Sequence, residues 1–596
     1  MLKKVSLFII GTAFIVLLMA NLFITYIEDE DQTNFQQLRD ETTYRHTRNG
    51  DIVGFIDQHG ARSWQGIPYA AAPIKDLRWK APRPPQYSYE LLETLKPASP
   101  CPQFSLSANR SEESSLSRLT GNEDCLYLNV WSPPNAVKLP VMVWIHGGGN
   151  TIGNGGSYSG ASLATNREVV VVTINYRLGV FGWFRHPKLK SGDADDDSGN
   201  YGTLDIIQSL KWVAENINEF GGDPDNITIF GESAGGLNVL AMVASPLAKD
   251  LFHRAIVQSG GLSLTPIARA ENLSKDGGHP FSSAEIVSKL FLNDGLAKNP
   301  ESANKYQDTI STNKLTEYLY EKTPSEIFRL FDSGGFGMIS LPDTFRDGHV
   351  IPDTTSAELF SDKEKHNMVP IVLGTNRDEP SLFMFRDPEF VDNYFGVIPY
   401  LKNKSTYQQA VRYGGLSWKV RGVDDIAEKM TRAGNPNVFA YRFDWDEEPS
   451  QYGFDLSIAL GAAHALEIPF VFGDFEGSLF SGLYPNDEAQ YQLSESMTSY
   501  WTEFAYTGRP AKGRENNETY WASWKENDQT TLILDTEKDA GIRMISDQYS
   551  IISIKEAFLS DQFENDEDKC RLYKSTFRAE HFIQSEYESL TESGCI

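Results

Sequence analysis

A serine flanked by glycines is the first candidate for chemistry. The run Ile227-Thr-Ile-Phe-Gly-Glu-Ser233-Ala-Gly-Gly236 contains Gly-x-Ser-x-Gly, with a strand-like run before it and a helical pattern after it. By itself the pattern also fits an ordinary glycine-rich turn, but this context is typical of a nucleophile elbow, in which the serine sits on a strained bend. The following helix would point its first N–H groups at developing negative charge. The pattern therefore predicts Ser233 as the nucleophile of an acyl-transfer reaction.

A second glycine run could stabilise the charge that this reaction creates. His146-Gly147-Gly148-Gly149 follows the apolar run Pro140–Ile145. Attack on an ester carbonyl produces an oxyanion, and consecutive glycines let backbone N–H groups approach it closely. In proteins with a nucleophile elbow, such a loop forms one half of the oxyanion hole, and the N–H after the nucleophile forms the other half.

The base and the acid must come from further along the chain. In proteins with such an elbow, the order is nucleophile, acid, histidine. Two neighbouring acids, Asp378 and Glu379, follow the apolar run Val369–Asn376. The histidines after Ser233 are His253, His279, His349, His366, His464 and His581. Chain order alone selects neither one acid nor one histidine.

Short runs rich in Val and Ile indicate the elements that would carry these residues. They do not alternate with polar residues, as expected of strands covered by helices on both faces. The predicted strands are Pro140–His146, Val169–Tyr176, Ile227–Ser233, Arg254–Gly260 and Val369–Asn376. Helical spacing falls between them, at Leu204–Ile217 and Gly236–Ala248. This alternation predicts an α/β fold around a large, mostly parallel central sheet flanked by helices.

Several longer runs resemble one protein family. Phe220–Gly235 resembles the active-serine signature of the type-B carboxylesterase family, which also contains the cholinesterases and some lipases, and Glu123–Pro133 resembles its second signature. Further similar runs are Gln65–Ala70, Asn175–Gly182 and Trp501–Pro510. The resemblance covers most of residues 45–535. It implies a single large domain with the α/β-hydrolase fold.

The resemblance also selects the partners of the serine. His464 lies in Gly461–Gly473, which is similar to the family's catalytic-histidine segment, and Glu379 aligns with the family's glutamate, with Asp378 as the alternative. This implies a Ser233–His464–Glu379 triad in which histidine is the base and glutamate orients it. Such a triad needs neither a metal ion nor an organic cofactor. The substrate would be a small-molecule ester.

Backbone donors and pocket residues follow from the same resemblance. It implies that the N–H groups of Gly148, Gly149 and Ala234 form the oxyanion hole. Glu232 resembles a family position that lines the site. Asn150 stands where the family usually has an aromatic residue, so the shape of the adjoining pocket is expected to differ.

The four cysteines permit two disulfides if the protein is exported. None has zinc-ligand spacing with nearby histidines. The resemblance implies a bond between Cys101 and Cys125 near the mouth of the pocket. The enclosed loop, Pro102–Asp124, lacks the tryptophan that binds quaternary ammonium in cholinesterases, so a choline ester is a poor candidate substrate. Cys570 and Cys595 remain open between an intrachain bridge, an intermolecular bond and free thiols.

The N-terminus indicates export. Lys3 and Lys4 precede an uncharged run, Val5–Ile27, which has the length of a membrane span, and four acidic residues follow it. We expect a cytoplasmic start at 1–4, a transmembrane anchor (or a cleaved signal peptide) at 5–27, a linker at 28–42, the α/β-hydrolase domain at 43–540 and an acidic tail at 541–596. The positive charges would stay in the cytoplasm, so the catalytic domain would be extracytoplasmic, and secreted if the segment is cleaved.

The amino-acid composition limits the possible binding partners of the protein. The net charge is −27, from 54 basic and 81 acidic residues, and such a surface repels nucleic acid. The charge fits a solubility role, and a funnel for cationic substrates stays open. Three functions remain: a broad-specificity esterase, a non-catalytic adhesion or binding relative, and a lipase or acyltransferase for long chains. The sequence leaves the natural substrate and the oligomeric state open.

Overall fold

An eleven-stranded sheet lies at the centre of the computed structural model, which describes residues 37–105, 119–394, 398–450, 454–477, 480–528, 530–577, 581–592 and 594–595. The strands, in chain order, are β1 (Arg45–Thr47), β2 (Gly50–Val53), β3 (Phe55–Ile56), β4 (Arg62–Pro68), β5 (Leu92–Glu93), β6 (Gln103–Phe104), β7 (Leu119–Thr120), β8 (Tyr127–Ser132), β9 (Leu139–Ile145), β10 (Val170–Ile174), β11 (Gly222–Glu232), β12 (Arg254–Gln258), β13 (Ile371–Asn376), β14 (Val391–Tyr394), β15 (Ile398–Leu401), β16 (Val438–Phe443), β17 (Thr531–Leu534) and β18 (Arg543–Ile545).

The central sheet has the order β18-β17-β16-β13-β12-β11-β9-β10-β8-β4-β3. Its strands are parallel from β10 to β17, and the antiparallel pairs lie at its two ends. The prediction of a large, mostly parallel sheet is confirmed. The five strands predicted from the sequence are β9 to β13, and they lie side by side.

Burial on both faces explains why these strands are continuously apolar. Along β9, Val141, Val143 and Ile145 pack in one hydrophobic core, whereas Met142 and Trp144 pack in a second one on the opposite face. Successive strand residues point to opposite faces, so both faces of β9 are covered and polar alternation is absent.

Helices cover both faces of the central sheet. They are α1 (Ala161–Arg167), α2 (Gly179–Gly182), α3 (Tyr201–Asn216), α4 (Ala234–Ala244), α5 (Ile267–Glu271), α6 (Ser283–Asn293), α7 (Pro300–Thr309), α8 (Thr312–Glu321), α9 (Pro324–Phe328), α10 (Ser356–Phe360), α11 (Ser381–Met384), α12 (Lys404–Lys419), α13 (Asp425–Arg432), α14 (Leu456–Ala459), α15 (Ile468–Phe472), α16 (Glu488–Thr507), α17 (Ile551–Ser560), α18 (Asp566–Thr576) and α19 (Gln584–Glu588). Residues of α3 and α4 pack in the first core, and those of α15 and α16 pack in the second. Both helices predicted from the sequence, α3 and α4, are present.

Residues 541–596, expected to be an acidic tail, contain regular elements. Strand β18 pairs antiparallel with β17 at the edge of the central sheet. Phe558 of α17 and Tyr573 of α18 pack with Tyr413 of α12 in one hydrophobic cluster. A disulfide joins Cys570 to Cys595, which selects the intrachain bridge among the alternatives that the sequence left open.

The predicted membrane segment, Val5–Ile27, lies outside the described residues. Within the described part of the chain, no helix is both long enough and apolar enough to span a bilayer.

Candidate active site

Ser233 occupies the turn between β11 and α4, with φ 57° and ψ −121°. Non-glycine residues rarely adopt a positive φ, so this backbone is strained. A Cβ on Gly231 would lie 2.5 Å from the carbonyl oxygen of Ile145, and one on Gly235 would collide with the same oxygen. The Ser233 N–H donates to the Gln258 carbonyl at 2.9 Å, which ties the turn to β12. Both glycines are therefore required by the close approach of β9.

Glu379 and His464, which are 85 residues apart, meet in the interior. The Nδ1 atom of His464 lies 2.5 Å from Oε2 of Glu379. The other carboxylate oxygen accepts hydrogen bonds from the Thr375 hydroxyl and the Asn376 N–H, each at 2.8 Å. The histidine is 3% exposed and the glutamate 0%, so water does not compete for these contacts. The pair fixes the orientation of the imidazole.

Asp378, the alternative acid, faces away from the imidazole. Its Oδ2 forms an ion pair with Arg377 at 2.8 Å and accepts from the Ala462 N–H at 3.1 Å. Proline at position 380 follows Glu379 and precedes α11, so the chain turns directly after the two acids. Neighbouring acids therefore have different partners, and Glu379 is the one brought to the histidine.

Ser233 and His464 line the same cavity. The Nε2 atom of His464 lies 3.0 Å from Oε1 of Glu232, and no hydrogen bond joins the Ser233 hydroxyl to the imidazole among the described residues. Proton transfer requires the hydroxyl to approach Nε2. Catalytic hydrogen bonds are often long without substrate and shorten when it binds, so this geometry is compatible with a serine–histidine pair.

Three buried carboxylates surround the imidazole: Glu232, Glu379 and Glu467. Glu467 accepts hydrogen bonds from Gln258 at 3.1 Å and from Asn376 at 2.8 Å. Burial acts to lower the pKa of His464, but the charges of Glu232 and Glu379 outweigh it and raise the pKa above the usual value. Burial raises the pKa of Glu232, and the nearby imidazole opposes that rise. The cluster stabilises the imidazolium, which is the form of a base that has accepted a proton.

The glycine loop after β9 leaves backbone donors free. Gly148 has φ 100° and Gly149 has φ 61°, a region that glycine adopts without steric cost. The N–H groups of Gly148, Gly149 and Ala234 make no hydrogen bond to any other described residue. Gly148 and Ser233 line the same cavity. The arrangement can therefore offer N–H groups to an anionic oxygen beside the serine.

The cavity has a volume of about 220 Å³ and mainly apolar walls, which include Phe336, Met338, Phe383 and Phe472. Gln103 also lines it and exchanges two hydrogen bonds with Gly153, at 2.9 and 2.7 Å. The expected disulfide joins Cys101, two residues before Gln103, to Cys125. Glu232 and Asp474 are the acidic residues in its described lining, and the rest of the walls suit an uncharged ligand.

Two neighbours of His464 were not identified from the sequence. Glu467 lies only three residues after it, and an acid inside the apolar run Ala465–Phe472 was the available signal. The ring of Trp418 lies 5.0 Å from the imidazole, and no local pattern links residues so far apart in the chain. Within the described ranges, no group of three or more His, Cys, Asp or Glu side chains is arranged to hold a metal ion.

The chain is similar to a known protein family and to individual known proteins. The model of the Carboxylesterase family matches residues 41–410 and 388–551. The chain is 34% identical over 508 residues to the para-nitrobenzyl esterase of Bacillus subtilis, with 82% of this chain and 94% of that protein covered. It is 31% identical over 508 residues to the fumonisin B1 esterase of Sphingopyxis macrogoltabida, with 81% and 85% covered.

Solved structures of esterases are also similar to this chain. A PNB esterase has a TM-score of 0.59 at 29% identity, covering 85% of this chain and 97% of its own. A carboxylesterase of Geobacillus stearothermophilus has a TM-score of 0.60 at 27% identity, covering 86% and 99%.

Proposed function

This chain belongs to the carboxylesterase family and hydrolyses carboxylic ester bonds, and we propose that it does so through an acyl-enzyme on Ser233. His464 accepts the hydroxyl proton as the oxygen attacks the ester carbonyl, and it then donates that proton to the departing alcohol. Water, activated by the same imidazole, cleaves the acyl-enzyme and releases the acid. Glu379 keeps the imidazole in the required tautomer and stabilises its protonated form.

The observation that carries this proposal is the buried pair of His464 and Glu379, in which His464 lines the same cavity as Ser233. A hydroxyl is a weak nucleophile unless an adjacent base removes its proton. A histidine whose other nitrogen is held by a buried carboxylate is such a base. Ser233 also occupies a strained turn, as expected of a nucleophile elbow.

Backbone N–H groups are proposed to stabilise the negative charge that forms on the substrate oxygen. In this proposal, the N–H groups of Gly148, Gly149 and Ala234 bind the oxyanion of the tetrahedral intermediate. Their lack of other partners supports the assignment, because a donor already engaged within the loop could not serve. Each such donor typically contributes about 2.7–4 kcal/mol to lowering the barrier.

We assign the substrate class as uncharged esters with broad specificity. The walls of the cavity are mainly apolar, which favours uncharged groups over charged ones. Non-catalytic members of such families typically lose a triad residue, whereas Ser233, His464 and Glu379 are all present here. The name of one relative, para-nitrobenzyl esterase, refers to an uncharged aromatic group, which is compatible with this assignment.

We also infer an oxidising, extracytoplasmic location. Two disulfides, Cys101–Cys125 and Cys570–Cys595, are typical of exported proteins. The apolar run Val5–Ile27 would anchor the domain to the outer face of a membrane if it is retained, and would release it if it is cleaved. Mass spectrometry of the mature N-terminus distinguishes the two, since cleavage removes the run.

Hydrolysis of p-nitrophenyl butyrate tests the proposed chemistry. Ser233→Ala should lower kcat by about 10⁴-fold or more, whereas the exposed Ser361→Ala should match the wild type. A fluorophosphonate should phosphonylate Ser233 with loss of fluoride, so the wild type should gain the mass of the phosphonyl group and Ser233→Ala should not. Retained turnover in Ser233→Ala would show that another group performs the chemistry. A rise in kcat/KM from butyrate to long-chain esters would instead identify a lipase.

A further inference from the structure

One side chain of the oxyanion loop takes no part in the reaction as proposed. Asn150 follows three glycines, so its amide is the first side-chain group by which the turn can be held. The residue is 1% exposed, and its φ is 57°. Asparagine tolerates this left-handed region better than most residues. The resembled family usually has an aromatic residue here, so a buried amide is a departure of this chain.

Both ends of the Asn150 amide are engaged. Its Nδ2 donates to Oδ2 of Asp343 at 2.7 Å, and its Oδ1 accepts from Nδ2 of Asn238 at 2.8 Å. The backbone carbonyl of Asn150 accepts from the Gly179 N–H at 2.7 Å. Asn238 lies on α4, the helix that begins directly after Ser233. A continuous chain of hydrogen bonds therefore runs from Asp343 through the oxyanion loop to the nucleophile helix.

Asp343 provides a fixed end for this chain. Phe345, two residues further on, exchanges two hydrogen bonds with the buried side chain of Asn200, each at 2.8 Å. Burial raises the pKa of Asp343 to about 6, and the hydrogen bond from Asn150 opposes that rise. The carboxylate is therefore largely ionised at pH 8, and hydrogen bonds to charged acceptors are stronger than neutral ones.

The segment that carries Asp343 also forms a wall of the cavity. Phe336 and Met338 line it. A Cβ on Gly149 would lie 3.1 Å from the sulfur of Met338, so this wall packs directly against the loop. The Ile339 N–H donates to the Thr151 hydroxyl at 3.3 Å. Pocket wall and oxyanion loop are thus joined at several points.

We propose that Asp343 is a positioning residue for ester hydrolysis, and that it acts through Asn150 to hold the oxyanion loop against the nucleophile helix. The inference rests on the proposed function, because it matters only if Gly148 and Gly149 bind the oxyanion. Their N–H groups must point at the position that the ester's carbonyl oxygen occupies once it becomes negatively charged in the transition state. A shift of about 1 Å in a catalytic group can cost about 10²-fold in rate.

Exchanging the two side chains tests the hydrogen bond itself. Asn150→Asp places two carboxylates side by side and removes the donor to Asp343, while aspartate still tolerates the positive φ. Asp343→Asn keeps an acceptor for Asn150. In the double variant, an amide at 343 can donate to a carboxylate at 150, which restores the bond with reversed polarity. Asp353→Asn, on an exposed position of the same segment, is the matched control.

Kinetics with p-nitrophenyl butyrate from pH 6 to 9 give the readout. Asn150→Asp should lose about 10²-fold in kcat at pH 9, with KM changed less than about threefold, because a misplaced oxyanion hole affects the transition state more than the bound ester. The loss should shrink toward pH 6, where the two carboxylates can share a proton. Affinity for a trifluoromethyl ketone, whose alkoxide adduct would occupy the oxyanion hole, should fall in parallel with kcat.

The double variant decides the outcome. Recovery of at least about tenfold over Asn150→Asp supports positioning by this bond, since coupled residues show non-additive effects. Equal loss in the double variant, or wild-type activity in Asn150→Asp, overturns the inference. Thermal unfolding of each variant identifies a loss that comes from misfolding. If the wild type itself has no Ser233-dependent turnover, it is the proposed function that fails.

Discussion

The two halves of the site are held by different physical means. On the imidazole side, His464 is enclosed by buried carboxylates and by the ring of Trp418, so charge and burial set its orientation and its pKa. On the oxyanion side, Gly148 and Gly149 have no side chains, and the amide of Asn150 holds the turn through hydrogen bonds to Asp343 and Asn238. The first half depends on electrostatics, and the second depends on backbone geometry.

This difference predicts how substitutions in each half of the site change the activity. A substitution on the imidazole side should change the pKa of His464, and therefore the pH dependence of the rate, without moving the backbone. A substitution on the oxyanion side that introduces no new charge should lower kcat at all pH values.

Glu379→Gln should cause the largest loss on the imidazole side. Glutamine can donate to Nδ1 of His464 and so favour the wrong tautomer, and the analogous change in a Ser-His-Asp triad lowers kcat by about 10⁴-fold. Asp378→Asn is the control, because its carboxylate faces Arg377, and we expect less than about a tenfold change from loss of that ion pair. Steady-state kinetics check both variants. If both variants lost the same factor in kcat, Glu379 would have no role in catalysis that Asp378 lacks.

Gly148→Ala should cause the largest loss on the oxyanion side. The residue has φ 100°, and an added Cβ would lie 2.7 Å from Cγ1 of Ile152, so the loop must move. We expect kcat to fall about 10²–10³-fold, the range for loss of one oxyanion donor. Gly60→Ala is the control, because Gly60 also has a positive φ, 77°, but no heavy atom lies within 4 Å of its Cβ position. If Gly60→Ala loses as much activity, general strain is responsible.

Glu232→Gln should have the smallest effect on rate and a clear effect on pH dependence. The carboxylate lies 3.0 Å from Nε2 of His464 and helps to raise the pKa of the imidazole. Hydrolysis needs neutral imidazole, so kcat/KM rises with pH through this pKa. Removing the negative charge lowers the pKa of His464, and the acid limb should move to lower pH. A pH profile of kcat/KM that stays in place would show that Glu232 does not act on the imidazole.

Part of the architecture was predictable because it depends on neighbours in the chain. Strands β9 to β13 were recognised from continuous Val and Ile runs, since a strand buried on both faces has no polar alternation. The short edge strand β18 was missed, because three partly buried residues carry too little pattern. For the site, the elbow at Ser233 and the glycine loop were recognisable, since the steric demands of a tight turn act within a few residues.

The sequence by itself determined the local chemistry: a serine on a strained bend, a glycine loop after an apolar strand, and acids placed directly after β13. The tertiary structure decided which groups meet. It brought Glu379 rather than Asp378 to His464, joined Cys570 to Cys595, and set Asp343 against Asn150, 193 residues away. The reason is physical. Hydrogen bonds require heavy atoms to lie within about 3 Å of each other, and for residues far apart in the chain that distance depends on how whole elements pack.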